Sequence, residues 1–205
     1  MIAAVLLAAG NARRFDGTQK LLAMVPAGET TVPLVRRSAS AIVDAGLQNI
    51  VVVIGRDAEQ VRDGLAGVDV RFITNRDYAS GLSSSLRTGV AESARLWPNA
   101  EAFLIALGDQ PLTGTGIIES ILSEARTSGS RAIVAPRFRG ELGNPVLFAR
   151  LLVPELLAVT GDRGARGVVE RDSSRVHFVD FDRAMPPDVD TVKDLDVLTG
   201  AWRTR

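Results

Sequence analysis

The sequence predicts an open α/β domain built on a mostly parallel central sheet. Three observations predict it. Short runs that are apolar on both faces recur along the chain, longer segments with apolar residues three and four apart lie between them, and polar glycine-bearing loops follow several of the runs. A strand apolar on both faces needs cover on both faces, and crossover helices between parallel strands supply it. Ligands of such sheets gather beyond the carboxyl ends of the strands.

The elements follow in order. The run IAAVLLA (2–8) has no polar residue and stops at Ala9-Gly10, so it reads as a buried strand. PLVRRSASAIVDAG (33–46) has helical spacing and ends in glycine. NIVVVI (49–54) is a second buried strand, AEQVRDGLAG (58–67) a short helix and VRFIT (70–74) a third strand. SSSLRTGVAESARLW (83–97) is helical, AFLIAL (102–107) a strand, TGIIESILSEARTSG (115–129) a helix and RAIVAP (131–136) a strand. GELGNPVLF (140–148) reads as a hairpin or strand return, and GDRGARGVVE (161–170) opens a helix. RVHFVDF (175–181) is a late strand and DVDTVKDLDVL (188–198) closes the chain helically. Pro186-Pro187 is a local break, so residues 1–205 read as a single domain.

Composition narrows the chemistry. Lysine plus arginine balance aspartate plus glutamate at 24 each, so no global basic field argues for nucleic acid or an anionic membrane. With no cysteine and one histidine, His177, thiolate nucleophiles, disulfides and Cys/His zinc sites are excluded. His177 alternates with apolar neighbours and reads as a strand-surface residue. MIAAVLLAAG is too short to span a bilayer and meets Arg13 and Arg14, so neither an anchor nor a signal peptide is expected, and a cytoplasmic protein is.

Three loops carry candidate chemistry: AAGNARRFDGTQK, TNRDYASGLSSS and GDQPLTGTG. The first is neither a P-loop nor a dinucleotide fingerprint, since Gly-Lys-Ser/Thr and GxGxxG are both missing. What remains is Leu7, Ala8, Ala9 and Gly10, whose last three small residues let backbone approach a planar ligand, with Arg13, Arg14 and Lys20 within reach of phosphate oxygens. A plain strand-to-helix turn with solvated arginines accounts for the same residues. Gly108-Asp109 follows a buried strand and precedes Pro111. There a lone carboxylate suits Mg²⁺ held against phosphates, or else forms a turn by bonding backbone two residues on. Asp190 is a second metal candidate, although Thr191 with Asp194 makes a capping box that Asp190 would also suit. Ser83, Ser84 and Ser85 open a helix and could read a base or ribose, with one of them expected as the N-cap.

Taken in order, LAAG, Arg14 and Lys20, SSSLRTG, GDQP, GNPVLF, GDRGAR and DVDT resemble the molybdenum cofactor cytidylyltransferases, MobA-like nucleotidyltransferases, over nearly the whole chain. The resemblance implies a Rossmann-like three-layer α/β fold and an Mg²⁺-dependent enzyme. Such an enzyme transfers CMP from CTP to the phosphate of molybdopterin-bound molybdenum and releases pyrophosphate. It implies Ala8, Ala9 and Gly10 as base and ribose cradle, Arg14 and Lys20 as triphosphate clamp, and Ser85 as a cytosine contact. Asp109 becomes the main metal ligand and Asp190 the second carboxylate. By the same resemblance, Asn144, Asp162, Gly164, Ala165 and Arg166 would face the acceptor. A molybdoenzyme or its chaperone would be the downstream partner.

Relatives using GTP tend to carry Gly-Gly where this chain has Ala9-Gly10, and a methyl there crowds a purine more than a pyrimidine. The sequence departs from the family pattern at Asp16-Gly17, which sets a carboxylate near the expected phosphates. It departs again at Gly143-Asn144-Pro145 in place of Gly-His-Pro and at TVKDL (191–195) in place of TPEDL. A phosphate monoester acceptor is largely dianionic at neutral pH, with a second pKa of about 6. No general base is required, which suits a chain with one histidine. Competing readings are a relative using GTP or another phosphorylated acceptor, a non-catalytic cofactor-delivery protein, and a dinucleotide-dependent oxidoreductase, which the missing fingerprint disfavours.

Overall fold

A computed structural model describes residues 1–10, 19–127, 132–189, 191 and 193–195. Ten strands and six α-helices are present among them. In chain order they are β1 (Ile2–Ala8), β2 (Met24–Ala27), β3 (Thr30–Pro33), α1 (Leu34–Asp44), β4 (Ile50–Ile54), α2 (Ala58–Gly64), β5 (Arg71–Thr74), α3 (Leu82–Leu96), β6 (Ala102–Leu107), α4 (Gly114–Thr127), β7 (Ile133–Phe138), β8 (Glu141–Leu142), β9 (Val146–Ala149), α5 (Val153–Leu157), α6 (Arg166–Arg171) and β10 (Val176–Phe181).

The main sheet has the order β10-β7-β9-β6-β1-β4-β5, with β8 paired to β7. β1 runs parallel to β4 and β6, β4 to β5, and β10 to β7. β9 is antiparallel to both of its neighbours, β6 and β7, and β8 is antiparallel to β7, so among the described residues the strands that run against the rest of the sheet lie in the expected strand return, GELGNPVLF, and the Ala149 that follows it. The hairpin β2–β3 forms a separate small sheet. Chain order leaves β1 first toward β4 and β5, then returns to β6 on its other side. The switch point therefore falls between the carboxyl ends of β1 and β6.

Alternation along β1 splits the interior in two. Ala4, Leu6 and Ala8 pack into the layer that holds Leu34, Val35 and Ile42 of α1, Val61 of α2 and Ile117 and Ile121 of α4. Ala3, Val5, Leu7 and Ala9 pack into the opposite layer with Leu86 and Val90 of α3, Leu156 of α5 and Val168 and Val169 of α6. Each fully buried Val, Leu or Ile contributes about 1.5–3 kcal/mol, so both helix layers are anchored by many small equal contributions. Helix α3 packs closely on the sheet at Gly89. A Cβ on Gly89 would lie 2.4 Å from Val5 Cγ1 and 2.6 Å from Val53 Cγ2.

One expectation is corrected at the start of α3. No serine caps it; Gly81, at φ +95°, holds the N-cap position, and Ser83, Ser84 and Ser85 are buried inside the first turn. The left-handed φ favours glycine, and a Cβ at Gly81 would also meet Asp162 Oδ1. Ser84 Oγ instead donates back to the carbonyls of Gly81 and Asp77. The capping box at the other end of the chain is present: Thr191 N–H donates to Asp194 Oδ2 at 2.8 Å and Asp194 N–H to Thr191 Oγ1 at 3.2 Å. Among the described residues no helix is long and apolar enough to cross a membrane.

Candidate active site

Leu7, one residue before the end of β1, pairs with Leu107 at the end of β6, and beyond them the backbone stays tightly packed. Gly108 N–H donates to Leu7 O at 2.9 Å, and a Cβ on Gly108 would lie 3.1 Å from that oxygen. Gly55, after β4, meets a similar limit, since its Cβ would fall 2.9 Å from Ala9 O. Three strand ends thus converge with only small residues between them. Asp109 follows at once, its carbonyl accepting from Val189 N–H at 3.1 Å, which brings the late segment 188–189 to the same place.

Lys20 reaches this point from the first loop. Leu21, buried beside it, pins a single helical turn over Lys20–Leu22, and Lys20 Nζ lies 2.8 Å from Asp109 Oδ2. Gln110, buried, donates from Nε2 to Asp188 Oδ1. Asp188 is a carboxylate that reading of the sequence passed over in favour of Asp190, two positions on. The signal was the same DVDT stretch, in which alternate residues cannot be told apart without the contact to Gln110. Arg14 and Asp190, like Arg13 and Asp16, lie outside the described residues.

A cavity of about 390 Å³ opens here, with Leu7, Ala9, Gly10, Tyr78, Gly81, Leu82, Ser85, Leu107, Asp109 and Asp188 in its wall. Ala8 is absent from it because its methyl points to the opposite layer. Gly108 shapes the wall through its contact with Leu7 rather than lining it. Ala9 presents its methyl on the cavity side of the sheet. Tyr78, unremarked in the sequence, adds the only aromatic ring in this wall among the described residues.

A second cavity, of about 490 Å³, shares Leu7, Leu82 and Leu107 with the first. Asn144, Asp162, Ala165 and Arg166 line it, as do Arg163 and Glu170. Gly164 takes φ +53° and packs on Leu82, where a Cβ would approach Cδ2 to 2.8 Å. Ser83 N–H donates to Gly161 O at 3.2 Å, so the 161–164 turn is fastened to the start of α3. Glu170 accepts from Arg166 Nε at 3.0 Å and from Arg163 Nη2, gathering two guanidinium groups on one carboxylate. His177 lies elsewhere, on β10, with Nδ1 3.5 Å from Glu124 Oε1 on α4.

What the arrangement can do follows from its charges. One cavity is walled by small residues, leucines and Tyr78 together with two carboxylates, of which Asp109 is paired to Lys20, and this suits a nucleotide with its phosphates. The adjoining one carries Arg163 and Arg166 beside Asp162 and Glu170, and guanidinium groups there could turn from Glu170 to an anionic second substrate. Among the described residues no cluster of three or more His, Cys, Asp or Glu could hold a metal ion. Two hard carboxylates are nonetheless the donor set that Mg²⁺ or Mn²⁺ takes beside phosphates.

"Nicotine blue oxidoreductase" of Paenarthrobacter nicotinovorans is 28% identical over 95% of this chain and 94% of its own length. A "probable molybdenum cofactor guanylyltransferase" of Haloferax mediterranei is 32% identical over 64% of this chain and 58% of its own. The crystal structure of Rv0371c from Mycobacterium tuberculosis superposes with a TM-score of 0.81 at 28% identity, covering 97% of each chain, and its complex with manganese gives 0.79 at 27% identity over 98% of each. Residues 4–176 match the family described as the MobA-like NTP transferase domain, so the chain belongs to that family and is a nucleotidyltransferase of the MobA-like type.

Proposed function

We propose that the chain transfers CMP from CTP to the terminal phosphate of a molybdopterin-type cofactor and releases pyrophosphate. The observation that carries the reading is the pair of adjoining cavities that share Leu7, Leu82 and Leu107, one lined by Asp109, which pairs with Lys20, and the other by Arg163 and Arg166. In this reading the first takes CTP and the second takes the cofactor. An acceptor phosphate oxygen attacks the α-phosphorus, the new P–O bond forms, and the bond to the pyrophosphate oxygen breaks.

Each residue then has a task. Ala9 and Gly10 set the close approach of base and ribose, and the Ala9 methyl narrows the space a purine would need. Lys20 meets charge on the departing pyrophosphate. Arg163 and Arg166 hold the acceptor phosphate, already largely dianionic, so that no base is needed. Asp109, with Asp188 in the same wall, would hold Mg²⁺, which when bound neutralises phosphate charge and acts as a Lewis acid. The manganese complex of Rv0371c supports a divalent ion in this family.

The relative named as a guanylyltransferase supports a molybdenum cofactor as acceptor and makes GTP the competing donor. Pyrophosphate release measured with each NTP, divalent metal and molybdopterin-type cofactor tests the reading. CTP should give the highest kcat/KM, and higher turnover with GTP would replace the nucleotide while leaving the reaction. A second reading is favoured by the nearly full-length match to nicotine blue oxidoreductase: an oxidation or reduction of a small molecule. Oxidation of NADH or NADPH by the chain, with no pyrophosphate release from any NTP, would establish it instead.

A further inference from the structure

Asn75 follows directly after β5 and is 3% exposed, with its backbone N–H tied to Ile54 O at 2.8 Å. Its side-chain amide is fully committed. Oδ1 accepts from Asp77 N–H at 2.9 Å, which leaves Nδ2 to face α3, where it donates to Ser84 Oγ at 2.9 Å and to Ser85 Oγ at 3.0 Å. A backbone N–H can only donate, so the orientation of the amide is decided by Asp77.

The two serines then differ. Ser84 passes its own proton to the carbonyls of Asp77 and Gly81. Ser85 accepts from Asn75, and among the described residues its hydroxyl has no acceptor of its own. Ser85 is 5% exposed and lines the cavity with Ala9, Gly10 and Tyr78. Its hydroxyl proton is therefore available to whatever planar group lies there.

We propose that Asn75 is a positioning residue that sets the base preference of the donor nucleotide by holding Ser85 as a hydrogen-bond donor toward the cavity. A base presenting an acceptor, such as O2 or N3 of cytosine, satisfies that donor. Guanine presenting its N1–H and N2–H₂ offers that proton no acceptor: an N–H can take the remaining lone pair of Ser85 Oγ, but the buried hydroxyl proton is then left unpaired, which costs more than a missing contact. The inference rests on the proposed use of this cavity for the donor nucleotide.

Equilibrium binding of CTP and of GTP, each with Mg²⁺, to the full chain and to two variants tests it. In Asn75→Asp the carboxylate only accepts, so the Ser85 proton turns toward it and the hydroxyl lone pairs face the cavity. The ratio of CTP to GTP affinity should fall about 10-fold, with GTP binding held or improved. Ser85→Ala, which adds no charge, should lower the ratio in the same direction by removing the donor. A ratio unchanged from wild type in Ser85→Ala, with both nucleotides weakened equally, marks a purely structural role and overturns the proposal. So does a wild-type protein that binds GTP at least as tightly as CTP. A wild-type protein that binds neither nucleotide overturns the reading of the cavity itself.

Discussion

Lys20 Nζ sits 2.8 Å from Asp109 Oδ2, although 89 residues separate the two in sequence. The contact joins the loop after β1 to the loop after β6, the two strands that flank the switch point of the sheet. Both side chains are partly sheltered, at 13% and 27% exposure, so their attraction is screened less than that of a surface pair.

Replacing Asp109 by alanine should lower kcat by a factor of about 10² to 10³, the usual loss for one charge-stabilising group. Far-UV circular dichroism should be unchanged, because the Asp109 backbone, not its carboxylate, bonds to Val189. Lys20→Ala should also act on kcat rather than on KM, since its partner charge develops during the reaction.

The arginines of the second cavity act on the other substrate. Arg166→Ala should raise the KM for the phosphorylated acceptor about 10-fold or more, the worth of a hydrogen bond to a charged group, and leave CTP binding unchanged. Steady-state kinetics with each substrate varied in turn separates the two effects.

Much of this was legible before any coordinates. IAAVLLA, NIVVVI and AFLIAL are apolar at every position because both faces of β1, β4 and β6 are covered, and that pattern survives in one dimension. Gly108-Asp109 at a strand end was legible for the same reason. The hairpin β2–β3 was not, because MVPAGETTVP carries Pro26 and Pro33, which argue against strands, and only cross-strand pairing makes it one. The N-cap of α3 was misread because serine is the usual capping residue, whereas the backbone there needs the positive φ of Gly81. Asp188 and Asn75 owe their roles to partners 78 and 10 residues away, which no local pattern records.

Gly89→Ala tests the packing of α3. Alanine in a helix interior is ordinarily favoured over glycine by about 0.8–1 kcal/mol. Here the added methyl would press on Val5 and Val53 of the sheet, and overpacking of this kind costs about 1–3 kcal/mol. The sign should reverse, and urea denaturation should show a less stable variant.

Glu155 on α5 offers a pH test. The Arg175 guanidinium, with Nη1 at 2.6 Å, and secondarily Arg171 hold its carboxyl below the usual glutamate range against a burial penalty. A carboxyl with a lowered folded-state pKa adds stability above its unfolded pKa and loses it as pH falls through the folded one. Glu155→Gln should therefore be less stable by about 0.2–1 kcal/mol at pH 7, and the gap should close below about pH 4.5. Thermal melts of both proteins across pH 3 to 7 would read it.

The most direct measurement of the central claim is pyrophosphate release from CTP by the wild-type chain, supplied with Mg²⁺ and a molybdopterin-type cofactor, beside Asp109→Ala. The account predicts release that requires the cofactor, stops with a chelator, and falls by a factor of about 10² to 10³ in the variant. Equal release from both proteins, or none from wild type with any NTP, would contradict it.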